Sequence, residues 1–135
     1  MTALMRGAAL AALVAGLGGV AQAQDTFTIG ISNTVQGNGW REQMICAMKA
    51  QALASGVVDS LNIAHRNTDA AGQLEDIRNL VQAGVDAIIV NPASADAVNA
   101  AIKEATDAGV VVVAVDQAVT EPSAFNISNN QEEYA

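Results

Sequence analysis

Residues Gln82–Asp116 read QAGVDAIIVNPASADAVNAAIKEATDAGVVVVAVD, and one short unit occurs twice within them. In each copy Ala-Gly-Val leads into an aliphatic run and ends at a polar residue, Asn91 in the first copy and Asp116 in the second. Gly84 and Gly109 suit the left-handed backbone just beyond a helix C-terminus, where a Cβ would clash. The unit therefore predicts a helix end, a turn and a short strand, repeated once.

The two aliphatic runs, Ala87–Val90 and Val111–Val115, do not alternate apolar with polar residues. Runs of this kind are typical of strands covered on both faces in a parallel sheet. Between them, Ala95–Asp107 has apolar residues at helical spacing, which predicts a crossover helix. The β-α-β unit predicts an α/β fold with a doubly wound parallel sheet and a right-handed crossover.

The polar residues that end the two runs are the first candidates for a binding site. Ligands of open α/β sheets bind outside the carboxyl ends of the strands. We therefore expect Asn91 and Asp116 to point out of the same edge into an open groove. The alternative is that each caps the loop or helix that follows it. For Asn91, which precedes Pro92, both interpretations stay open, whereas for Asp116 we favour the ligand role.

Composition excludes several classes of function. The chain has 135 residues with a formal net charge of −8, and 51% of its residues are hydrophobic. This length corresponds to one domain or less. The acidic balance argues against nucleic acid, which requires a basic patch, and against docking on anionic lipid. The only cysteine, Cys46, excludes an internal disulfide, and its helical context predicts a small buried side chain.

Residues 1–23 have the pattern of a secretory signal peptide. Met1–Arg6 is a short basic start, Gly7–Val20 is apolar, and Ala21-Gln22-Ala23 is a small-residue cleavage site. The apolar run is too short for a membrane span, which needs about 20 residues. We therefore expect cleavage after Ala23, export, and a mature domain over residues 24–135.

The mature chain predicts further strands and helices around the duplicated unit. The predicted elements are a strand at Thr26–Ser32, a helix at Trp40–Ala54, a strand at Val57–Ala64, a helix from a cap at Thr68 or Asp69 to Gly84, and a strand at Ala124–Ile127. Another helix is predicted to begin at Ser128–Asn130, with acidic residues in its first turn. Because the chain stops barely one turn into that helix, we expect it to be the front part of a longer protein.

Five motifs occur in a characteristic order along this chain. They are Asn38-Gly39-Trp40 after the first strand, AGVDAIIVNP within Gln82–Pro92, SADAVNAAI at Ser94–Ile102, VAVDQAV at Val113–Val119, and NISNN at Asn126–Asn130. Together they resemble the periplasmic sugar-binding proteins of ABC importers, of the ribose-binding type. The resemblance implies two similar α/β lobes with a sugar held between them. Residues 24–135 then form an incomplete N-terminal sugar-binding lobe, located in the periplasm.

The resemblance also implies which side chains contact the sugar. The expected substrate-binding residues are Asn38, Trp40, Arg41, Asn91, Asp116, Gln117 and Ser128. Gln117 stands where ribose binders often have Arg, and Arg41 where they often have an aromatic residue, so the sugar is not identified. Independently of the family, Asp116 can accept hydroxyl hydrogens and Trp40 can cover a sugar face. The alternatives are a core or hinge anchor for Trp40 and a solvated helix residue paired with an acid for Arg41.

The resemblance implies the substrate-binding component of an ABC-type sugar import system. Such a protein delivers a monosaccharide ligand to ABC transporter permease subunits, and we expect a monomer at full length. An effector-sensing domain of a sugar-responsive transcriptional repressor shares this fold, but such proteins begin with a DNA-binding helix-turn-helix rather than an export signal. An enzyme is not expected, because there is no P-loop or G-x-S-x-G and no dinucleotide motif follows a predicted strand. We expect no cofactor and no metal, since the lone His65, predicted at the surface or a strand end, has no companion ligands.

Overall fold

The computed structural model describes residues 25–130 and Glu133, and it shows an α/β domain built on one five-stranded sheet. The strands are β1 (Phe27–Asn33), β2 (Val58–His65), β3 (Ala87–Asn91), β4 (Val111–Asp116) and β5 (Phe125–Ser128). The helices are α1 (Gly39–Ser55), α2 (Ala70–Gln82) and α3 (Asn99–Asp107). All four strand pairings are parallel, so the predicted α/β fold with a parallel sheet is confirmed.

The strand order is β2-β1-β3-β4-β5, which places β1 inside the sheet. The chain moves from β1 outward to β2, then returns past β1 to β3 and continues to β4 and β5. Ile31 of β1 pairs with Ile63 of β2 on one side and with Ile89 of β3 on the other. This reversal makes the carboxyl ends of β1 and β3 the switch point at which open α/β sheets bind ligands.

The duplicated unit has the predicted geometry at both of its glycines. Gly84 and Gly109 follow α2 and α3 with φ of 75° and 87°. The N–H of Gly84 donates to the carbonyl of Val81, and that of Gly109 to the carbonyl of Thr106. Placing a residue that has a Cβ in the left-handed backbone conformation costs about 1–2 kcal/mol. The two glycines therefore let each helix turn directly into the next strand.

The hydrophobic core lies between one face of the sheet and the pair α2 and α3. Alternate residues of β3 and β4 point to this face and are at most 1% exposed, namely Ile88, Val90, Val112 and Ala114. Their partners on the helices are Ile77, Leu80, Ala101, Ile102 and Ala105. Because a fully buried aliphatic side chain contributes about 1.5–3 kcal/mol, this layer supplies most of the hydrophobic stabilisation.

The opposite face of the sheet is covered only in part by the described residues. Helix α1 lies over this face, above Ile29 and Ile89. Farther along the sheet, Val111, Phe125 and Ile127 are 47%, 65% and 64% exposed. The prediction that β4 is covered on both faces is therefore wrong within the described residues, because α2 and α3 both lie on the other face.

The start of α3 also differs from the prediction. The helix begins at Asn99 rather than at Ala95. Ser94 Oγ accepts hydrogen bonds from the backbone N–H groups of Asp96 at 3.4 Å and Ala97 at 3.3 Å. These bonds hold the preceding residues in a turn, since a serine hydroxyl competes with the helix for nearby backbone donors.

Cys46 is exposed, so the prediction of a buried side chain is wrong. Helix α1 has one covered side, and the neighbouring Ile45 takes the buried position there with 4% exposure. Adjacent residues of a helix point about 100° apart, so one of the two has to face outward.

Some predictions concern residues outside the described part of the chain. The signal peptide with its cleavage site lies within residues 1–24, and most of the helix predicted after Ser128 lies beyond residue 130. Within the described part, none of the helices is long and apolar enough to cross a membrane.

Gln73 is a buried polar side chain that joins α2 to the end of β3. It is fully buried, its Nε2 donates to the carbonyl of Asn91 at 3.0 Å, and its Oε1 accepts from the N–H of Ala93 at 2.7 Å. Nε2 also lies 3.2 Å from Ser32 Oγ on β1. One amide therefore satisfies the backbone where β3 ends and the next loop begins.

We expect Gln73→Met to lower the free energy of unfolding by about 2–4 kcal/mol, since the buried carbonyl of Asn91 and the part-buried N–H of Ala93 lose their partners. Urea denaturation measures the difference. The matched control is Gln82→Met at the exposed end of the same helix, for which we expect a change within about 0.5 kcal/mol. Equal effects of the two substitutions would contradict the bridging role of Gln73.

Candidate functional site

A groove of about 260 Å³ lies at the carboxyl edge of the sheet, between the start of α1 and the ends of β4 and β5. Its walls are formed by Trp40, Met44, Met48, Val115, Asp116, Ile127, Ser128 and Asn129. Three of the predicted substrate-binding residues, Trp40, Asp116 and Ser128, are thus brought together. A larger hollow of about 360 Å³ lies under α1, but it is lined almost wholly by aliphatic and methionine side chains. The 260 Å³ groove combines apolar walls with polar strand ends, which is typical of a small-molecule site.

Arg41 lies beside this groove and is held by three neighbours. Its Nη1 donates to Asn33 Oδ1 at 2.9 Å, and its Nη2 is 4.0 Å from Asp116 Oδ2. The guanidinium carbon lies 5.5 Å from the centre of the Trp40 ring, within the range of a cation–π contact. The side chain is 14% exposed. Arg41 is therefore paired with an acid, but it is not the solvated helix residue of the alternative interpretation.

Asp116 ends β4 in an unusual backbone conformation. Its φ is 70°, the only positive φ among the described residues other than glycine. The N–H of Gln117 donates to the carbonyl of Val115 at 2.9 Å, which closes a three-residue turn around Asp116. Turns of this type with positive φ are rare and strained, and such strain clusters at functional sites. The carboxylate is 25% exposed, so it remains accessible from the groove.

Asn38 caps α1. Its Oδ1 accepts hydrogen bonds from the N–H groups of Trp40 at 3.1 Å and Arg41 at 3.2 Å. This cap sets the residue at which α1 begins, and it therefore sets the positions of Trp40 and Arg41 beside the groove. The oxygen is occupied by the cap, while the Nδ2 group of this exposed residue carries two hydrogens available to a ligand.

Asn91 is not placed as the sequence analysis expected. The register pairs Val90 with Ala114, so Asn91 lies level with Val115 and Asp116 lies one residue beyond it. Asn91 is 1% exposed, and its Nδ2 lies 3.7 Å from the sulfur of Met44 on α1. The expectation that Asn91 opens directly into the groove is therefore wrong. Its Oδ1 is buried and has no hydrogen-bond partner within the described part of the chain.

The remaining predicted residues fall on the outer part of the site. Ser128 is exposed and forms part of the groove wall. Gln117 is exposed and lies beside the groove rather than in its wall. Its backbone N–H closes the turn at Asp116.

A polar cluster behind Arg41 was missed by the sequence analysis. Asn33 lies one residue beyond the predicted first strand, but it is the last residue of β1 and is 1% exposed. Its Nδ2 is 2.7 Å from both the carbonyl of Val35 and Nδ1 of His65. His65 Nε2 lies 2.9 Å from Glu42 Oε1. His65 is the last residue of β2, which is one of the two placements predicted for it. Its side chain is only 11% exposed.

Glu42 closes this cluster on the side of α1. Its Oε1 accepts the N–H of Gly37 at 2.7 Å as well as contacting His65. The Gly37 N–H bond, followed by the hydrogen bond with His65, holds the pKa of the Glu42 carboxyl below its usual value. The loop before α1 is thereby attached to the end of β2 through a carboxylate.

The apolar wall was also missed. Met44 and Met48 lie one turn apart on α1, within the helix predicted at Trp40–Ala54. Asn129, predicted as a helix cap, is a further polar group in the wall. Within residues 25–130 no cluster of His, Cys, Asp and Glu side chains is arranged to hold a metal ion.

A parallel α/β sheet with an aromatic, a guanidinium and a carboxylate around a groove at its carboxyl edge defines a small-molecule-binding domain. The chain belongs to the periplasmic binding protein domain family, whose sequence profile matches residues 29–135. The resemblance stated from the sequence motifs is thereby confirmed.

Individual relatives give the same result. The chain is 31% identical over 91 residues to the ribose import binding protein RbsB of Bacillus subtilis, which covers 67% of this chain and 29% of the relative. It is 31% identical over 93 residues to the galactofuranose-binding protein YtfQ of Escherichia coli, covering 69% and 29%. A crystal structure of an ABC transporter solute binding protein from Thermobispora bispora superposes with a TM-score of 0.74 at 33% identity, covering 81% of this chain and 35% of that one. This chain thus spans about a third of the length of these proteins.

We expect Asn38→Ala to lower the free energy of unfolding by about 1 kcal/mol, because α1 loses its cap. Asn38→Asp should retain most of the stability, since aspartate caps equally well. Chemical denaturation compares both with Asn79→Ala, an exposed position within α2 where no cap is lost. If Asn38→Ala and Asn79→Ala have the same stability, the capping role assigned to Asn38 is wrong.

Proposed function

We propose that the complete protein is the substrate-binding component of an ABC-type sugar import system and captures a monosaccharide at this groove. The single observation that carries the proposal is the combination of Trp40, Arg41 and Asp116 around one opening. Trp40 is 51% exposed, and the Asp116 carboxylate and the Arg41 guanidinium lie near it. The relatives that bind ribose and galactofuranose support the same assignment.

The chemistry of these groups suits a sugar. A sugar presents apolar C–H faces and hydroxyl edges, and an aromatic ring covers the former while a carboxylate accepts from the latter. Arg41 Nη1 bonds to Asn33, and its longer 4.0 Å approach to Asp116 leaves the carboxylate oxygens room for hydroxyl donors. Ser128 and Asn129 in the wall provide further hydroxyl and amide groups.

The other candidate residues take outer or secondary roles in this proposal. The amide hydrogens of Asn38 and the side chain of Gln117 reach the ligand from the rim. Asn91 contributes an unpaired acceptor, Oδ1, while its Nδ2 lies 3.7 Å from the sulfur of Met44 in the groove wall. A buried carbonyl without a partner costs about 1–3 kcal/mol, so a bound hydroxyl there has a clear energetic benefit.

The proposed importer role includes export and delivery. The basic start, apolar run and Ala21-Gln22-Ala23 site support a cleavable signal peptide over residues 1–23 and a periplasmic location. The opening of the groove at the sheet edge supports closure by a second lobe through a hinge. The closed form then presents its lobes to the membrane permease subunits, as a monomer.

We expect Asp116→Ala in the complete protein to weaken sugar binding by about ten- to a hundred-fold, the range for losing hydrogen bonds to a charged acceptor. Asp116→Asn, which tolerates the positive φ, should separate the loss of charge from the backbone strain and still bind less tightly. Isothermal titration calorimetry with pentoses, hexoses and polyols measures the affinity. Asp107→Ala, at an exposed ion pair with Lys103 on α3, is the matched control. Unchanged affinity in both Asp116 variants would refute the assignment of Asp116 to the site.

We also expect ligand binding to change the fluorescence of Trp40, which is the only tryptophan of this chain. Its half-exposed ring becomes covered by the sugar, so emission should shift to shorter wavelength and quenching by iodide should fall. Trp40→Phe should abolish the change and weaken binding less than Trp40→Ala, because phenylalanine retains a ring face. A saturable binding isotherm in calorimetry without any change in Trp40 emission would show that the sugar binds elsewhere.

A further inference from the structure

The amide of Asn33 has one orientation that its neighbours permit. Its Nδ2 donates to the carbonyl of Val35 at 2.7 Å, and its Oδ1 accepts from Arg41 Nη1 at 2.9 Å. A carbonyl oxygen only accepts and a guanidinium only donates. Turning the amide over would set two acceptors against each other at Val35 and two donors against each other at Arg41. The second hydrogen of Nδ2 therefore points to His65 Nδ1, 2.7 Å away.

This orientation determines the proton position on His65. Nδ1 accepts from Asn33, so it carries no hydrogen, and the neutral ring has its hydrogen on Nε2. Nε2 then donates to Glu42 Oε1 at 2.9 Å. The chain of bonds runs from Glu42 through His65 and Asn33 to Arg41, and every hydrogen in it has a defined direction. His65 itself forms no part of the groove wall.

The charged groups around this series of hydrogen bonds come from four segments of the protein. They are Glu42, Arg41 and Lys49 on α1, Arg66 directly after β2, Asp76 on α2 and Asp116 on β4. Arg66 is engaged by Asp76 at 2.9 Å. Glu42 contacts the ring directly, and Arg41 acts on it through Asn33. A second proton would make the ring positive, which favours its contact with the Glu42 carboxylate. The contact that becomes unfavourable is the one between Nδ1 and the Nδ2 group of Asn33.

We propose that His65 is a positioning residue for Arg41, and that its neutral form with hydrogen on Nε2 holds the guanidinium at the groove. A proton on Nδ1 faces the Nδ2 group of Asn33, which cannot turn over, so the Asn33–Arg41 bond is lost or displaced. The neutral ring therefore supports ligand affinity, and a proton gained at Nδ1 lowers it. The affinity readout rests on the proposed function, whereas the proton position on His65 does not.

The first test is the affinity of the complete protein for its sugar from pH 8 to pH 5, measured by calorimetry. We expect a decrease of about ten-fold on acidification, near the lower limit for one hydrogen bond to a charged group. His65→Leu, which has no acceptor for Asn33, should lower the affinity at every pH by a similar factor. His65→Gln offers an acceptor to Asn33 and a donor to Glu42 without a titrating group. It should recover most of the affinity that His65→Leu loses, with a flat pH profile.

Three results would overturn the proposal. They are wild-type affinity in His65→Leu, a wild-type pH profile in His65→Gln, or a flat profile in the wild-type protein that still binds sugar. Thermal unfolding of both variants verifies that they are folded at the temperature of the titration. Asp107→Asn, remote on α3, is the control for general effects of lost charge and should retain the wild-type profile.

The second test is independent of any ligand. Long-range ¹H–¹⁵N correlation spectra report which ring nitrogen of His65 carries the proton, and His65→Gln identifies the resonance. We expect the Nε2–H form at pH 8. The Nδ1–H form would overturn the proposal even if sugar binds as expected. Absence of sugar binding at every pH together with the Nε2–H form would instead refute the proposed function and leave the positioning geometry intact.

Discussion

All strands of the sheet run in the same direction, and the rest of the site depends on this constraint. The five strands end, in chain order, at Asn33, His65, Asn91, Asp116 and Ser128. Each of these residues is polar, whereas the residues that precede them in β3 and β4 are aliphatic. Parallel pairing collects five polar strand ends at a single edge, and a sheet of mixed direction would distribute them over two. The polar chemistry at that edge is therefore a consequence of topology.

Helix α1 converts this polar edge into a groove. Asn38 ends the loop after β1 by capping the helix, and the next two residues, Trp40 and Arg41, are carried to the ends of β1 and β4. The guanidinium of Arg41 is anchored to Asn33 and also faces Asp116, and the proposed function adds a binding role to this structural one. Arg41 Nη2 lies 4.0 Å from Asp116 Oδ2, which is too far for a hydrogen bond, and Asp116 lies in a strained turn. The groups are therefore held in place while the carboxylate keeps capacity for further hydrogen bonds.

The two faces of the sheet are unequal, and this affects the groove. The face toward α2 and α3 is dry and close-packed, with Ile88 and Val90 fully buried. The other face has α1 over β1 and β2, while Ile127 remains 64% exposed. Met44 and Ile127 consequently form an apolar wall opposite the polar strand ends. A ligand with both hydroxyl edges and C–H faces finds partners on both sides of such a groove.

Local sequence determined the features that depend on neighbouring residues. The glycine turns, the aliphatic strands, the cap at Asp69 and the polar residue at the end of each strand all follow from short-range preferences, and they made Asp116 a candidate. The tertiary structure alone decided the burial of Asn91, the contact of Asn33 with His65, and the open side of β4. These depend on strand register and on which helix covers which face. Side chains alternate between the two faces of a sheet, so a shift of one residue between β3 and β4 separates Asn91 from Asp116, and no pattern within either strand encodes that shift.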